Sequence, residues 1–148
     1  QSTMDKPKRF NLRVYAILKN KQGKLLITHE RYGEVEFYKF PGGGLEFGEG
    51  TVSGLKRELK EELGITVSKL DHLFTTDEFV PSAFRKEDQI ISIYYLVKLP
   101  ENQEISTIDS NPGSAEILDR IWVNASELNT YLRFPMDLKV SKLLEERL

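Results

Sequence analysis

The apolar residues of this chain fall into short alternating or β-branched runs and two longer stripes with helical spacing. The short runs predict strands, because alternation matches the two-residue period of a half-buried strand. The predicted strands are Phe10–Leu18, Lys24–His29, Tyr38–Phe40, Gln89–Leu99 and Arg120–Val123, with extended chain over Ile65–Thr76. The segment Asn20–Gly23 between the first two is typical of a hairpin turn.

Helical spacing predicts a helix over Thr51–Leu63, which Gly64 would end. At about 100° per residue, its buried stripe would consist of Val52, Leu55, Leu59 and Leu63. A short helix over Ala125–Thr130 and a final helix over Pro135–Leu148 complete the elements. Short strands interleaved with two longer helices indicate an α/β or α+β fold.

On the polar side of the Thr51–Leu63 helix, acidic and basic side chains lie on separate flanks. Glu58, Glu61 and Glu62 occupy one arc beside the apolar stripe. Glu58 and Glu62 lie four residues apart, as do Lys56 and Lys60, so both pairs repel, whereas opposite charges at this spacing would stabilise a solvated helix. Clusters of carboxylates suit hard cations such as Mg²⁺ and Mn²⁺.

A glycine-rich loop, Pro41–Gly44, precedes this acidic helix. Its backbone can approach a ligand closely, and the unpaired N–H groups at the start of a helix favour anions. A loop suited to phosphate beside a helix suited to metal indicates a metal-assisted phosphoryl site.

This segment resembles the Nudix box, G-x5-E-x7-R-E-U-x-E-E-x-G-U, in which U is a bulky aliphatic residue. All nine fixed positions are filled, by Gly43, Glu49, Arg57, Glu58, Leu59, Glu61, Glu62, Gly64 and Ile65. The later run Ile121–Val123 followed by Ser126–Leu128 is similar to the family's usual ending. The resemblance implies the Nudix fold, a mixed β-sheet sandwiched between helices, and Mg²⁺-dependent hydrolysis of a pyrophosphate bond, with Mn²⁺ as a substitute.

The resemblance also implies roles for residues of the box. Glu58 and Glu62 would be metal ligands, and Glu61 a further ligand, either direct or through water. Gly43 would either supply a backbone carbonyl to the metal or be needed only for its conformation. Arg57 would clamp Glu49 and Glu61 by bidentate hydrogen bonds rather than touch substrate.

Outside the box the candidates are less sharply defined. Glu116 is the first candidate for the general base, with Asp88 and Glu87 as alternatives. Arg31 and Tyr38 are the candidate substrate contacts. Arg13 is a further candidate for phosphate, and Tyr15, Phe79 and Tyr94 for stacking on a base. Glu46 is expected to be an exposed loop residue, and His29 and His72 to be structural.

Composition narrows the function classes. The chain has 148 residues and is expected to form one domain over 4–148. Gln1–Thr3 precede Met4 and are set aside as a candidate cloning remnant. Its net charge of −2 does not indicate the excess of basic residues that is typical of nucleic-acid binding. The absence of cysteine excludes disulfides and thiolate chemistry. The absence of cysteine favours a reducing compartment, so a cytoplasmic location is expected. No run is apolar enough to span a bilayer. Dimers are common in the family, and the oligomeric state stays open.

Two function classes remain after this reasoning. The first is a pyrophosphohydrolase acting on a small nucleotide, a nucleotide sugar or ADP-ribose. The alternative is a Nudix-type binding module that recognises such a nucleotide without cleaving it. An isoprenoid isomerase of the same superfamily is disfavoured because it would be expected to use a cysteine. The choice of nucleotide would depend on the loops Asp77–Asp88 and Glu101–Gly113, whose patterns are weak.

Overall fold

The computed structural model describes residues 6–105 and 115–147. Part of the predicted loop Glu101–Gly113, together with Gln1–Thr3 and Leu148, lies outside the described residues. No helix within the described ranges is long and apolar enough to cross a membrane.

Within these ranges, seven strands form one mixed sheet. They are β1 Arg9–Lys19, β2 Leu25–Tyr32, β3 Val35–Lys39, β4 Gly42–Gly44, β5 Leu70–Thr75, β6 Asp88–Lys98 and β7 Glu116–Val123. The order along the sheet is β3-β2-β1-β6-β5, with β4 added to β1 and β7 to β2. The centre is the parallel pair β1 and β6, in register from Arg9 opposite Asp88 to Lys19 opposite Lys98.

Helices cover both faces of this sheet. Helix α1, Thr51–Leu63, ends at Gly64, whose φ of +69° is the left-handed conformation that glycine adopts without strain. It packs Leu55, Leu59 and Leu63 on one face. On the other face a 3-10 turn, Ala125–Glu127, leads into α2, Leu128–Tyr131, and α3, Pro135–Arg147. The predicted fold class is confirmed.

Helix α1 has the predicted bounds but a different buried arc. Val52 is 39% exposed, so its place in the predicted stripe was wrong. The buried arc is rotated toward the acids and includes Gly54, Glu58 and Glu62 beside the three leucines. The helix therefore turns two of its carboxylates inward.

Several strands are longer than the apolar pattern indicated. β2 continues to Tyr32, β3 begins at Val35 and β7 begins at Glu116. These extensions pair with one another through a mixture of polar and apolar residues without regular alternation, so backbone hydrogen bonding defines them. The three-glycine strand β4 gave no strand signal at all.

Candidate active site

The glycine strand β4 brings the backbone up to the acidic helix. Gly42, Gly43 and Gly44 pair with Tyr15, Val14 and Arg13 of β1. Gly42 has a φ of +142°, and a Cβ there would lie 2.0 Å from the Val14 carbonyl oxygen. A Cβ on Gly43 would lie 2.7 Å from both carboxylate oxygens of Glu58. Only glycine lets this carboxylate lie against the chain.

Glu58 and Glu62 form the buried part of the acid set. They are 5% and 7% exposed, and the Gly42 N–H donates to Glu62 Oε1 at 3.3 Å. Burial raises the pKa of Glu58, although Arg57 and Lys39 oppose the shift. Burial, reinforced by the charges of Glu30 and Glu58, raises the pKa of Glu62 to about 7. Both carboxylates are thus held in an environment that a nearby cation would make more favourable.

Arg57 lies behind these acids and holds several of them at once. Its Nε and Nη2 donate to the two oxygens of Glu49 at 3.0 and 2.7 Å, a bidentate pair. Its Nη1 donates to Glu61 at 3.0 Å and to Glu58 at 3.2 Å. Nη2 also donates to the Gly44 carbonyl at 3.0 Å. The side chain ties the helix acids, Glu49 and the glycine strand into one unit.

A buried ion pair supports the glycine turn from the β2–β3 hairpin. Lys39 Nζ lies 3.0 Å from Glu30 Oε2 and donates to the carbonyls of Phe40 and Gly42, each at 3.1 Å. The Thr28 hydroxyl donates to the same Glu30 oxygen at 2.6 Å. Burial opposes the charge on Lys39, but Glu30 and Glu62 attract it, so the pKa of Lys39 is raised.

A cavity of about 760 Å³ opens over Gly43, Glu58 and Glu62. Its lining also has an apolar and aromatic part, in which the ring centroids of Phe37, Phe84 and Phe134 lie 5.3 to 6.1 Å apart. That part includes Phe10, Leu12, Phe37, Val80, Phe84, Ile90, Phe134 and Met136. Tyr94 and Asp137 lie in the same lining, and the Tyr94 hydroxyl donates to Asp137 Oδ1 at 2.6 Å. One cavity thus joins a carboxylate end to an aromatic end.

Comparison with known proteins assigns this arrangement to a family. The NUDIX domain matches residues 9–146. The chain belongs to the NUDIX family. As the sequence predicted, it is by family a NUDIX hydrolase.

Two curated NUDIX-like relatives differ in how much of them this chain covers. It is 29% identical over 134 residues to an 8-oxo-dGTP diphosphatase of Haemophilus influenzae, covering 88% of each chain. It is 34% identical over 83 residues to an RNA pyrophosphohydrolase of Coxiella burnetii, covering 53% of this chain. The match spans only 36% of that relative, about a third of its length.

Solved structures show the same fold. A MutT structure, from work on the Aliivibrio salmonicida and Vibrio cholerae proteins, superposes with a TM-score of 0.69 at 25% identity, covering 94% of this chain and 99% of that one. A MutT NUDIX hydrolase of Burkholderia pseudomallei superposes with a TM-score of 0.71 at 19% identity, covering 90% of this chain and 96% of that one. The second likeness concerns the fold alone.

The structure separates the predicted NUDIX site residues into two groups. Gly43, Glu49, Glu58 and Glu62 line the cavity, with Arg57 and Glu61 hydrogen-bonded behind them. The Arg57 contacts with Glu49 and Glu61 are present as predicted. Glu46 is exposed, also as predicted, and lies 3.5 Å from Arg57.

Of the predicted residues outside the NUDIX box, some line the main cavity and others do not. Glu116 is not in the cavity lining; it pairs with Arg31 at 2.7 Å across β2 and β7. Tyr38 stacks on His29 at 4.5 Å and borders a second, smaller cavity with Tyr131. The alternative base Asp88 does line the main cavity, where it accepts a hydrogen bond from Arg9 at 3.0 Å. Phe79 is exposed, whereas Tyr15 and Tyr94 line the main cavity.

The lining residues that sequence reasoning missed include Glu30, Lys39, Phe47 and Asp137. Phe47 occupies a variable position of the NUDIX box and is fully exposed, and an aromatic residue in a glycine-rich loop was the available signal. Glu30, Lys39 and Asp137 are charged residues that lie in strands and a helix recognised by the spacing of their apolar residues. The burial of Glu30 and Lys39 depends on the pairing of β2 with β3, and that of Asp137 on the docking of α3.

The donor set fits a hard divalent cation. Glu58 and Glu62 supply carboxylate oxygens, and Gly43 leaves space at the Glu58 carboxylate that any other residue would fill. No three His, Cys, Asp or Glu side chains of the described residues converge into a ready-made metal site. Mg²⁺ is usually held by one or two carboxylates together with water and substrate phosphates, and Glu58 and Glu62 can supply two such carboxylates.

Proposed function

We propose that this chain hydrolyses a pyrophosphate bond in a nucleoside diphosphate linked to another group, with Mg²⁺ as the cofactor. The observation that carries the proposal is the pair of buried carboxylates, Glu58 and Glu62, held beside the Gly42–Gly44 strand at one end of the cavity. The names of the two curated relatives, a diphosphatase and a pyrophosphohydrolase, support the reaction class.

In this proposal Glu58 and Glu62 hold the cation, with Gly43 contributing its carbonyl and Glu61 a direct or water-mediated contact. The bound cation would supply charge neutralisation on the phosphates and activation of water. Arg57 holds Glu49, Glu58 and Glu61 in place by hydrogen bonds. Phosphoryl transfer depends chiefly on such positioning and charge stabilisation.

Other parts of the proposal rest on the sequence. Glu116 stays the predicted general base, with Asp88 and Glu87 as alternatives. Arg31 and Tyr38 stay predicted substrate contacts. A single domain over 4–148 is supported by the family match over residues 9–146. The cytoplasmic location and a homodimer also stay predictions, as does the use of Mn²⁺ in place of Mg²⁺.

The test is a panel of nucleotides assayed with Mg²⁺ and with Mn²⁺, with products separated by chromatography. Glu58→Gln and Glu62→Gln should each abolish metal-dependent turnover, because an amide is a poor ligand for Mg²⁺ and carries no charge. Glu145→Gln, on the exposed side of α3, is the matched control and should retain full activity.

The same experiment decides between hydrolase and binding module. Wild-type-like turnover in both Glu58→Gln and Glu62→Gln would refute the assignment of the metal site. Nucleotide binding without cleavage of any panel member, at every metal concentration, would favour the binding module. Far-UV circular dichroism of each variant checks that the fold is intact.

A further inference from the structure

Arg13 presents a guanidinium group to the cavity close to the acid set. It lies on β1 opposite Gly44 of β4, and its Nη1 would be 3.7 Å from a Cβ on Gly44. Its Nε donates to the Tyr15 hydroxyl at 2.5 Å, which fixes the plane of the group. Among the described residues neither Nη atom has a hydrogen-bond partner. The Nη donors of the guanidinium group therefore face the cavity without a hydrogen-bond acceptor.

The other cations of the lining are either engaged in ion pairs or exposed. Lys39 uses its donors on Glu30 and on the carbonyls of Phe40 and Gly42. Arg9 is paired with Asp88 at 3.0 Å. Arg85 is exposed, in the segment that precedes β6. Arg57, outside the lining, is fully occupied by carboxylates and the Gly44 carbonyl.

Arg13 is linked through Tyr15 to Tyr94, because its Nε donates to the Tyr15 hydroxyl and the Tyr15 ring lies 5.4 Å from the Tyr94 ring. The pKa of Arg13 is raised, chiefly by Tyr15 and further by Glu58 and Glu30. Its charge also reaches Asp137 at the aromatic end. A nucleotide that places its base at the aromatic end and its phosphates at the acids would pass this side chain.

We infer that Arg13 is a substrate-binding residue that donates through its two Nη atoms to the non-bridging oxygens of the substrate's pyrophosphate group. A planar guanidinium with two adjacent free donors matches phosphate geometry, and the pairing adds positive charge where the acids alone would repel the substrate. This inference rests on the proposed function for the identity of the substrate. It gives Arg13 the phosphate contact that the sequence had offered equally to Arg31.

The test measures binding of methylenediphosphonate, a pyrophosphate analogue that cannot be hydrolysed, by isothermal titration calorimetry in the presence of Mg²⁺. Arg13→Gln should weaken binding by about tenfold or more, because charge-assisted hydrogen bonds are lost. Arg13→Lys, which keeps the charge but not the fork, should recover part of the loss. Arg147→Gln, at the exposed end of α3, is the matched control and should bind like wild type.

A second measurement separates contact from structural damage. Mn²⁺ binding, followed by electron paramagnetic resonance, should be retained in Arg13→Gln, because the acid set is intact. Loss of Mn²⁺ binding in that variant would make the role structural and overturn the inference. Unchanged analogue binding in Arg13→Gln, weakened binding in Arg31→Gln instead, or no binding by wild type would also overturn it.

The outcome is independent of turnover. If wild type cleaves no nucleotide but Arg13→Gln loses analogue binding, the proposed function fails and the Arg13 contact stands. If wild type cleaves nucleotides and analogue binding is unaffected by Arg13→Gln, the proposed function stands and the Arg13 contact fails. For the cleaved substrate, the contact predicts a rise in KM for Arg13→Gln that Arg13→Lys reduces.

Discussion

At the scale of single residues, Arg57 shows how one side chain orders a set of like charges. The bidentate bond from Arg57, with a backbone N–H bond from Glu46, lowers the pKa of Glu49 to about 2. Glu49 therefore remains ionised at any ordinary pH and keeps Arg57 in place. Arg57 in turn contacts Glu58 and Glu61, so its positive charge offsets the mutual repulsion of these carboxylates.

Asp137 gives a pH-dependent prediction at the same scale. Burial raises the pKa of Asp137 to about 6, against the Tyr94 hydrogen bond and the charges of Lys39 and Arg13. The unfolded value is about 3.9, so between about pH 4 and pH 6 the folded state binds more protons than the unfolded state. The contribution of Asp137 to the free energy of unfolding is present below this window. It is lost as the pH rises through it, by on the order of 2–3 kcal/mol.

Asp137→Asn removes this titration and keeps an acceptor for Tyr94. The stability of wild type relative to Asp137→Asn should therefore fall across the window and be constant above it, as measured by urea unfolding at a series of pH values. Asp71→Asn, at an exposed position of β5, is the control and should show no such trend. A difference that is constant with pH would contradict the prediction.

At the scale of elements, sequence predicts what is periodic and local. The bounds of α1 follow from its leucine spacing and from Gly64, and both were confirmed. The acids Glu58 and Glu62 were recognised by type and spacing, but their burial was not, because it depends on how α1 is rotated against β4. The pair Glu30 and Lys39 had no local signal, since only the register of β2 with β3 brings the two together.

This buried pair gives the prediction for the β2–β3 hairpin. Lys39→Met should lower the free energy of unfolding by about 3–5 kcal/mol, because it leaves the Glu30 carboxylate buried without a cation. Glu30→Leu/Lys39→Met should lose clearly less than the sum of the two single variants, since the Glu30 carboxylate is no longer left buried without a cation. Urea unfolding measures both, with the exposed Lys142→Met as a control expected within about 0.5 kcal/mol of wild type. Additive losses would show that the pair is not coupled.

At the scale of the whole molecule, the cavity is assembled from elements far apart in the chain. The NUDIX box supplies the acid end from one continuous segment, which is why sequence alone identified it. The rest of the lining combines β1, β6 and the start of α3, including Arg13, Tyr94 and Asp137. Their convergence depends on the parallel pairing of β1 with β6 and on the docking of α3, which are tertiary features that no single segment encodes.

The same assembly makes the stability of the whole molecule depend on the cation. Two buried carboxylates with raised pKa values destabilise the metal-free fold, so Mg²⁺ should stabilise it by binding only the folded state. At saturating concentration we expect about 1–3 kcal/mol, or a rise in Tm on the order of 4–10 °C for a chain of this size. Glu58→Gln/Glu62→Gln should be more stable than wild type without metal and should not respond to Mg²⁺. Differential scanning calorimetry with Mg²⁺, and with NaCl at equal ionic strength, measures both; an equal rise in wild type and the double variant would place the cation elsewhere.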